Sequence, residues 1–307
     1  MNATHRQGLF FVAVALWVST YHVTFGLPGD NRLLPLLAGF IVLVGIPHGA
    51  LDTMLAGRMF PMRKPLQWAL FSTTYLGLVL LVMAAWQLWP VLLLLLFLIV
   101  SAGHFAGDPE AGCPVWIRFA YGCAPVVLPA LFYRDEVLRL FSFLAPEAAS
   151  LRLLAALSTL GWSLLVVLGV AVLVLARQHW RTALEITAVT TLFVVTPPLT
   201  AFTVFFCGMH SARHILRCLR DETADAATGE VLANNHSKVG KATILQAVRT
   251  GLPPMLATLA LLSVYWANAA TFAFESRLVQ TVFIGLAALT FPHVILVDGL
   301  SRWRPTG

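Results

Sequence analysis

Long apolar runs, divided by short polar joints, set the pattern of the chain. They fall at about 8–26, 33–56, 66–88, 90–106, 151–176, 183–206, 240–266 and 277–297. Each is near the roughly 20 residues that a helix needs to cross a bilayer. The tight joint at Trp89-Pro90 makes the third and fourth runs antiparallel neighbours. Trp17, Trp86, Trp89, Trp162, Trp180 and Trp266 lie mostly near run ends, where an aromatic belt belongs. One stretch, 115–145, is apolar but is interrupted by Pro125 and Pro129, then by Arg134, Asp135, Glu136 and Arg139. It either crosses once or dips in and returns. The pattern predicts an all-α fold: a polytopic transmembrane helical bundle of about eight spans, plus a re-entrant or broken segment at 115–145. All of it belongs to one integral-membrane domain, 1–307.

Composition excludes a soluble enzyme. Of the 307 residues 59% are hydrophobic and 11% charged, against roughly 25% charged in soluble domains. The net charge of +6 comes from Lys and Arg scattered through short loops. That is a topology signal, and no nucleic-acid partner is expected. Cys113, Cys123, Cys207 and Cys218 form no C-x-x-C pair, so neither a zinc ribbon nor a thioredoxin-type motif is present. The N-terminal run lacks a small-residue cleavage site and reads as a first span.

Charge also orients the chain. With no net crossing at 115–145, the N-terminal face collects Arg6, Arg58, Arg63, Lys64, Arg118, Arg134, Arg139, Arg152, Arg217, Arg220, Lys238, Lys241, Arg302 and Arg304. The other face holds Arg32, Arg177, Arg181 and Arg277, a ratio of about 14 to 4. This bias makes the N-terminal face cytoplasmic, with both termini and the polar loop 221–239 on it. The same topology brings His48, His104, His210, His214 and His293 to one depth.

Those histidines carry the candidate chemistry. Gly45-Ile46-Pro47-His48-Gly49-Ala50-Leu51-Asp52 and Gly103-His104-Phe105-Ala106-Gly107-Asp108 both contain H-x-x-x-D near the end of an apolar run. Phe291-Pro292-His293, followed by Asp298, is a looser echo. Ionisable residues at membrane depth are costly and mark function. His210 and His214, one helical turn apart, can chelate one metal ion, or can face a water-filled cavity as a polar pair. His48 and His104 are further candidate ligands. Metal-bound His usually gives its second ring N–H to a carboxylate. Asp52 and Asp108 are therefore candidate orienters of the His one turn earlier, against a buried hydrogen bond without metal. Pro109 already puts Asp108 in a loop. His293 is a further ligand, a substitute for one of the four, or a hydrogen-bond partner. Imidazole ligation suits iron, copper or zinc. H-E-x-x-H and the clustered His boxes of membrane di-iron enzymes are both missing. The number of intramembrane His fits one ion better than two, and neutral ligands leave a single Fe(2+) with its charge and room for O2. Phe105, Phe202, Phe205, Phe206, Phe291 and Trp266 line an apolar bundle able to hold a long polyene, or are plain packing.

At these residues the sequence resembles the Brp/Blh family of bacterial and archaeal membrane β-carotene 15,15′-dioxygenases. The resemblance rests on Pro47-His48-Gly49-Ala50-Leu51-Asp52, on His104-Phe105 with Asp108, on His210 with Arg213-His214, and on Pro292-His293. It implies cleavage of β-carotene, or a related carotenoid, by O2 at the central double bond to two retinal. It implies a non-haem iron held by His48, His104, His210 and His214, and a multi-pass location in the cell (inner) membrane among lipid. A non-catalytic carotenoid- or retinal-binding protein that assists rhodopsin assembly is the alternative, and a metal or proton transporter a third.

Overall fold

The computed structural model describes residues 3–60, 62, 64–110, 112–219 and 241–299; the side chains at 30, 31, 46, 48, 241–247 and 299 lie outside that description. The polar loop 221–239 also falls outside it. Among the described residues every regular element is helical. The order is α1 (Ala3–Phe25), α2 (Asp30–Ala50), α3 (Asp52–Met59), α4 (Pro65–Leu88), α5 (Pro90–Phe105), α6 (Val115–Phe132), α7 (Arg134–Leu144), α8 (Glu147–Leu175), α9 (Trp180–Val195), α10 (Pro198–Phe205), α11 (Lys241–Asn268) and α12 (Phe274–Val294). Two π-helical turns, Phe206–Ser211 and Ile295–Gly299, extend α10 and α12. Six helices, α1, α4, α6, α8, α11 and α12, are long and apolar enough to cross a membrane, while α2 and α5 have shorter apolar stretches.

Local chemistry sets the helix ends. Pro65 starts α4, where its missing N–H costs nothing, and the Gln67 side chain accepts the Lys64 amide at 2.9 Å. Gly26, at φ +72°, closes α1 and gives its N–H to the His22 carbonyl at 2.9 Å. His22 Nδ1 accepts the Leu27 amide beside it, so this histidine caps a helix far from the others.

Lipid tails are as apolar as leucine, so helix association in a membrane depends on close packing and on polar pairs. Gly122 supplies the closest approach: a Cβ there would lie 2.1 Å from the Ala102 carbonyl oxygen on α5. Gly161 on α8 similarly leaves room for Leu131. Large aromatics such as Phe10, Trp17 and Trp162 face outward, as lipid-facing positions allow.

The segment 115–145 is broken, as expected, at Tyr133, but it changes ends. It starts at the end of the bundle that holds the α5–α6 turn, where Arg118 Nε donates to the Ala106 carbonyl. It finishes at the opposite end, where Arg139 pairs with Glu275, Gln280 donates to the Phe143 carbonyl, and Trp86 Nε1 donates to the Leu144 carbonyl. The return lies elsewhere. His5 contacts both Glu110 and Arg181, and Ser19 meets Thr196, so α9 rises parallel to α1. The chain then turns at Thr196-Pro197-Pro198 and descends until Gln7 Nε2 reaches the Gly208 carbonyl at 2.6 Å. The run 183–206, expected as a span, is therefore a re-entrant hairpin. Two adjacent prolines explain it, because neither can continue the hydrogen-bond ladder of α9. Arg177 and Arg181 move to the N-terminal face, and Arg134, Arg139 and Arg152 to the other. The exchange leaves His104, His210, His214 and His293 at one end of the bundle.

Candidate metal centre

Three histidines from three elements are each held by an aspartate from a distant part of the chain. His104, in the last turn of α5, has Nδ1 3.0 Å from Asp298 Oδ2. His210, in the first π-turn, has Nδ1 3.1 and 3.2 Å from the two oxygens of Asp108. His293, at the end of α12, has Nδ1 2.7 Å from Asp52 Oδ1. The rings meet at the centre. Centroids lie 4.8 Å apart for His104–His210, 4.9 Å for His104–His293 and 5.0 Å for His214–His293. His104, His210 and His293 are all buried. His48 lies on the last turn of α2, and its side chain is outside the described residues. Its neighbours Gly45 and Gly49 wall a cavity of about 40 Å³ together with His104, His210, His293, Phe105, Phe202 and Phe206.

A further layer fixes the carboxylates. Asp52 Oδ2 accepts the Tyr75 hydroxyl at 2.7 Å, so both of its oxygens are used. The Asp108 carbonyl accepts from Arg213 at 3.0 Å and from Arg217 at 2.7 Å. Arg213 makes a fork-to-fork pair with Glu185, at 2.6 and 2.9 Å, and its Nε donates to Gln7 Oε1. Gly8 leaves the room for this pair, since a Cβ there would overlap Glu185. Burial alone would raise the Asp108 carboxyl, but His210, Arg213 and Arg217 outweigh it and hold it below the usual carboxylate range. Asp108 is thus an ionised acceptor for an imidazole N–H.

The expected pairing of Asp108 with His104 is not the one formed; that of Asp52 with His48 lies outside the described residues. Asp52 serves His293, Asp108 serves His210, and Asp298 serves His104. The reason is local. An i, i+4 contact requires one continuous helix, but α5 stops at Phe105, before Asp108 is reached. Of the aromatics, Phe105, Phe202 and Phe206 line the histidine cavity, Phe205 is packed behind them, and Trp266 lies at the other end under Arg277.

The donor chemistry fits a transition metal. With Nδ1–H given to a carboxylate, each ring keeps its Nε2 lone pair for a metal, the arrangement usual for metal-bound histidine. Ligand atoms of Asp52, His214 and His293 also fall within 4.8 Å of one another. Asp52 is better read as the orienter there, because His293 and Tyr75 occupy its two oxygens.

Residues 40–301 match the family described as Beta-carotene 15,15′-dioxygenase. The chain belongs to this family. It is 30% identical over 268 residues to the Beta-carotene 15,15′-dioxygenase of uncultured marine bacterium 66A03, covering 85% of this chain and 92% of that one. It is 30% identical over 331 residues to the Probable beta-carotene 15,15′-dioxygenase Blh of Halobacterium salinarum, covering 96% and 91%. No solved structure matches the chain. In this family member, residues not singled out from the sequence complete the centre: Tyr75, Glu185 and Arg217. Glu185 was a visible signal, as a carboxylate inside an apolar run. Tyr75 had none.

Proposed function

We propose that the protein cleaves β-carotene, or a carotenoid like it, at the central 15,15′ double bond with O2, giving two retinal. The iron would be held by His104, His210, His214 and His293, with His48 as a further donor from the α2 turn. Family membership supports the reaction. The observation that carries the site is the set of three carboxylate-held imidazoles around one Phe-walled cavity. A ferrous ion bound there supplies the activation of O2. The chain's own residues do the rest. Asp52, Asp108 and Asp298 lock ring orientation and tautomer. Phe105, Phe202 and Phe206 offer apolar faces to a polyene and keep water away. The site lies near the cytoplasmic face of the cell membrane. Its end of the bundle carries Arg6, Arg58, Lys64, Arg118, Arg177, Arg181, Arg217 and Arg249, against Arg32, Arg134, Arg139, Arg152 and Arg277 at the other.

Aerobic incubation of purified protein with β-carotene and ferrous iron, followed by chromatography, tests the reading. Retinal from the wild type and little from His210→Ala is expected. No retinal from the wild type, or undiminished retinal from His210→Ala, rejects it.

A further inference from the structure

A second cavity, of about 510 Å³, lies between the α2–α3 turn, α4 and α11. Its size is that of a small-molecule pocket, and its lining is largely apolar. The histidine cavity is far smaller, about 40 Å³. Gly49 and Leu289 belong to the walls of both. A Cβ on Gly49 would meet nothing within 4 Å, so the glycine leaves open space where the two cavities adjoin. The large cavity follows α4 from Trp68 to Val79 and α11 from Arg249 to Leu261, about 16–18 Å at 1.5 Å per residue. It is accordingly elongated along the helices. Only 6% of the spanning part of α11 is buried, the lowest share of the six long helices, so this wall of the cavity is the one most exposed at the surface of the bundle.

We propose that this second cavity is a side chamber for one half of the carotenoid, a ring and its adjoining polyene, with Gly49 and Leu289 as the neck that admits the chain to the histidines. The proposal rests on the carotenoid reading given above. Three observations choose the occupant. The chamber is largely apolar and extends along α4 and α11, as a polyene half would need. It shares Gly49 and Leu289 with the histidine cavity, and Gly49 sets no side chain between the two. The histidine cavity itself has room for a thin conjugated chain but not for a ring. A substrate with its central bond at the histidines must therefore send its bulky end elsewhere, and the chamber is the adjoining space. Asp52 and Tyr75 form part of its wall while supporting His293, so the half-molecule lies against the same residues that hold the metal-site ring.

Two chamber-filling variants test this. Gly49→Leu closes the neck, and Ala257→Phe fills the chamber on α11, away from the histidines. Leu173→Phe, on a lipid-facing position of α8 that is 77% exposed, is the control. Each protein is purified anaerobically from cells that make β-carotene. Carotenoid retained through gel filtration and iron content are measured, and retinal is followed after air is admitted. Both chamber variants are expected to keep iron and elution volume while losing at least five-fold in retained β-carotene and about ten-fold in retinal. The Leu173→Phe protein should match the wild type. If Ala257→Phe retains carotenoid and cleaves it as the control does, the chamber is overturned, even should Gly49→Leu misfold. If the chamber variants lose carotenoid but the wild type forms no retinal in air, the chamber stands and the cleavage reading falls.

Discussion

His104, His210 and His293 each depend on a different carboxylate, so single side chains can be tested one at a time. Asp108→Asn keeps the shape but removes the charge that accepts from His210. Loss of such a partner typically costs 10–100-fold in metal affinity or activity. Anaerobic Fe(2+) titration of Asp108→Asn should therefore show binding weaker by that factor, and binding equal to wild type would refute the orienting role. Tyr75→Phe is milder. Asp52 keeps His293 and loses one hydroxyl donor, so affinity should fall less than in Asp108→Asn under the same titration. The Arg213–Glu185 pair behaves differently because both side chains are buried. Removing one partner strands a charge and costs about 3–5 kcal/mol, whereas replacing both with apolar groups is often neutral. Thermal unfolding in detergent should show Glu185→Leu well below wild type and Glu185→Leu with Arg213→Met nearer to it. Additive losses would contradict the pairing.

At the scale of elements, the close packing of α5 and α6 carries His104 into place. Gly122→Ala puts a methyl on the Ala102 carbonyl, so the end of α5 must move. Overpacking costs about 1–3 kcal/mol, and the variant should lose both melting temperature and iron occupancy. Normal iron occupancy would show that His104 tolerates the shift. The helices themselves were legible from apolar run length, and the histidines from their depth. The pairing of Asp108 with His210 was not, because it depends on where α5 stops, and a two-residue error there removes the i, i+4 contact with His104. The π-turn that carries His210 left no composition signal. The hairpin was different: Pro197-Pro198 stood in plain view inside the run 183–206. A run of spanning length outweighed it, and 115–145, with more prolines and charges, drew the re-entrant assignment instead. Two misplaced crossings cancelled, so the shared depth of the histidines survived an incorrect path.

For the whole molecule, the described helices and the hairpin bring the starts of α1 and α9, the α5–α6 turn and the ends of α2, α5 and α12 to one face. That topology is open to labelling. In a cysteine-free background, a single cysteine at Asp135 should react with a membrane-impermeant maleimide in intact cells, and one at Arg177 only after lysis. The reverse pattern, with position 177 labelled in intact cells and position 135 only after lysis, would contradict the hairpin. The central claim is that histidines from separate helices gather one iron on which carotenoid cleavage depends. Its most direct measurement is retinal yield from chelator-stripped protein, before and after stepwise return of Fe(2+). The account predicts no retinal from the stripped protein and recovery that saturates near one iron per chain. Full yield without metal would contradict it.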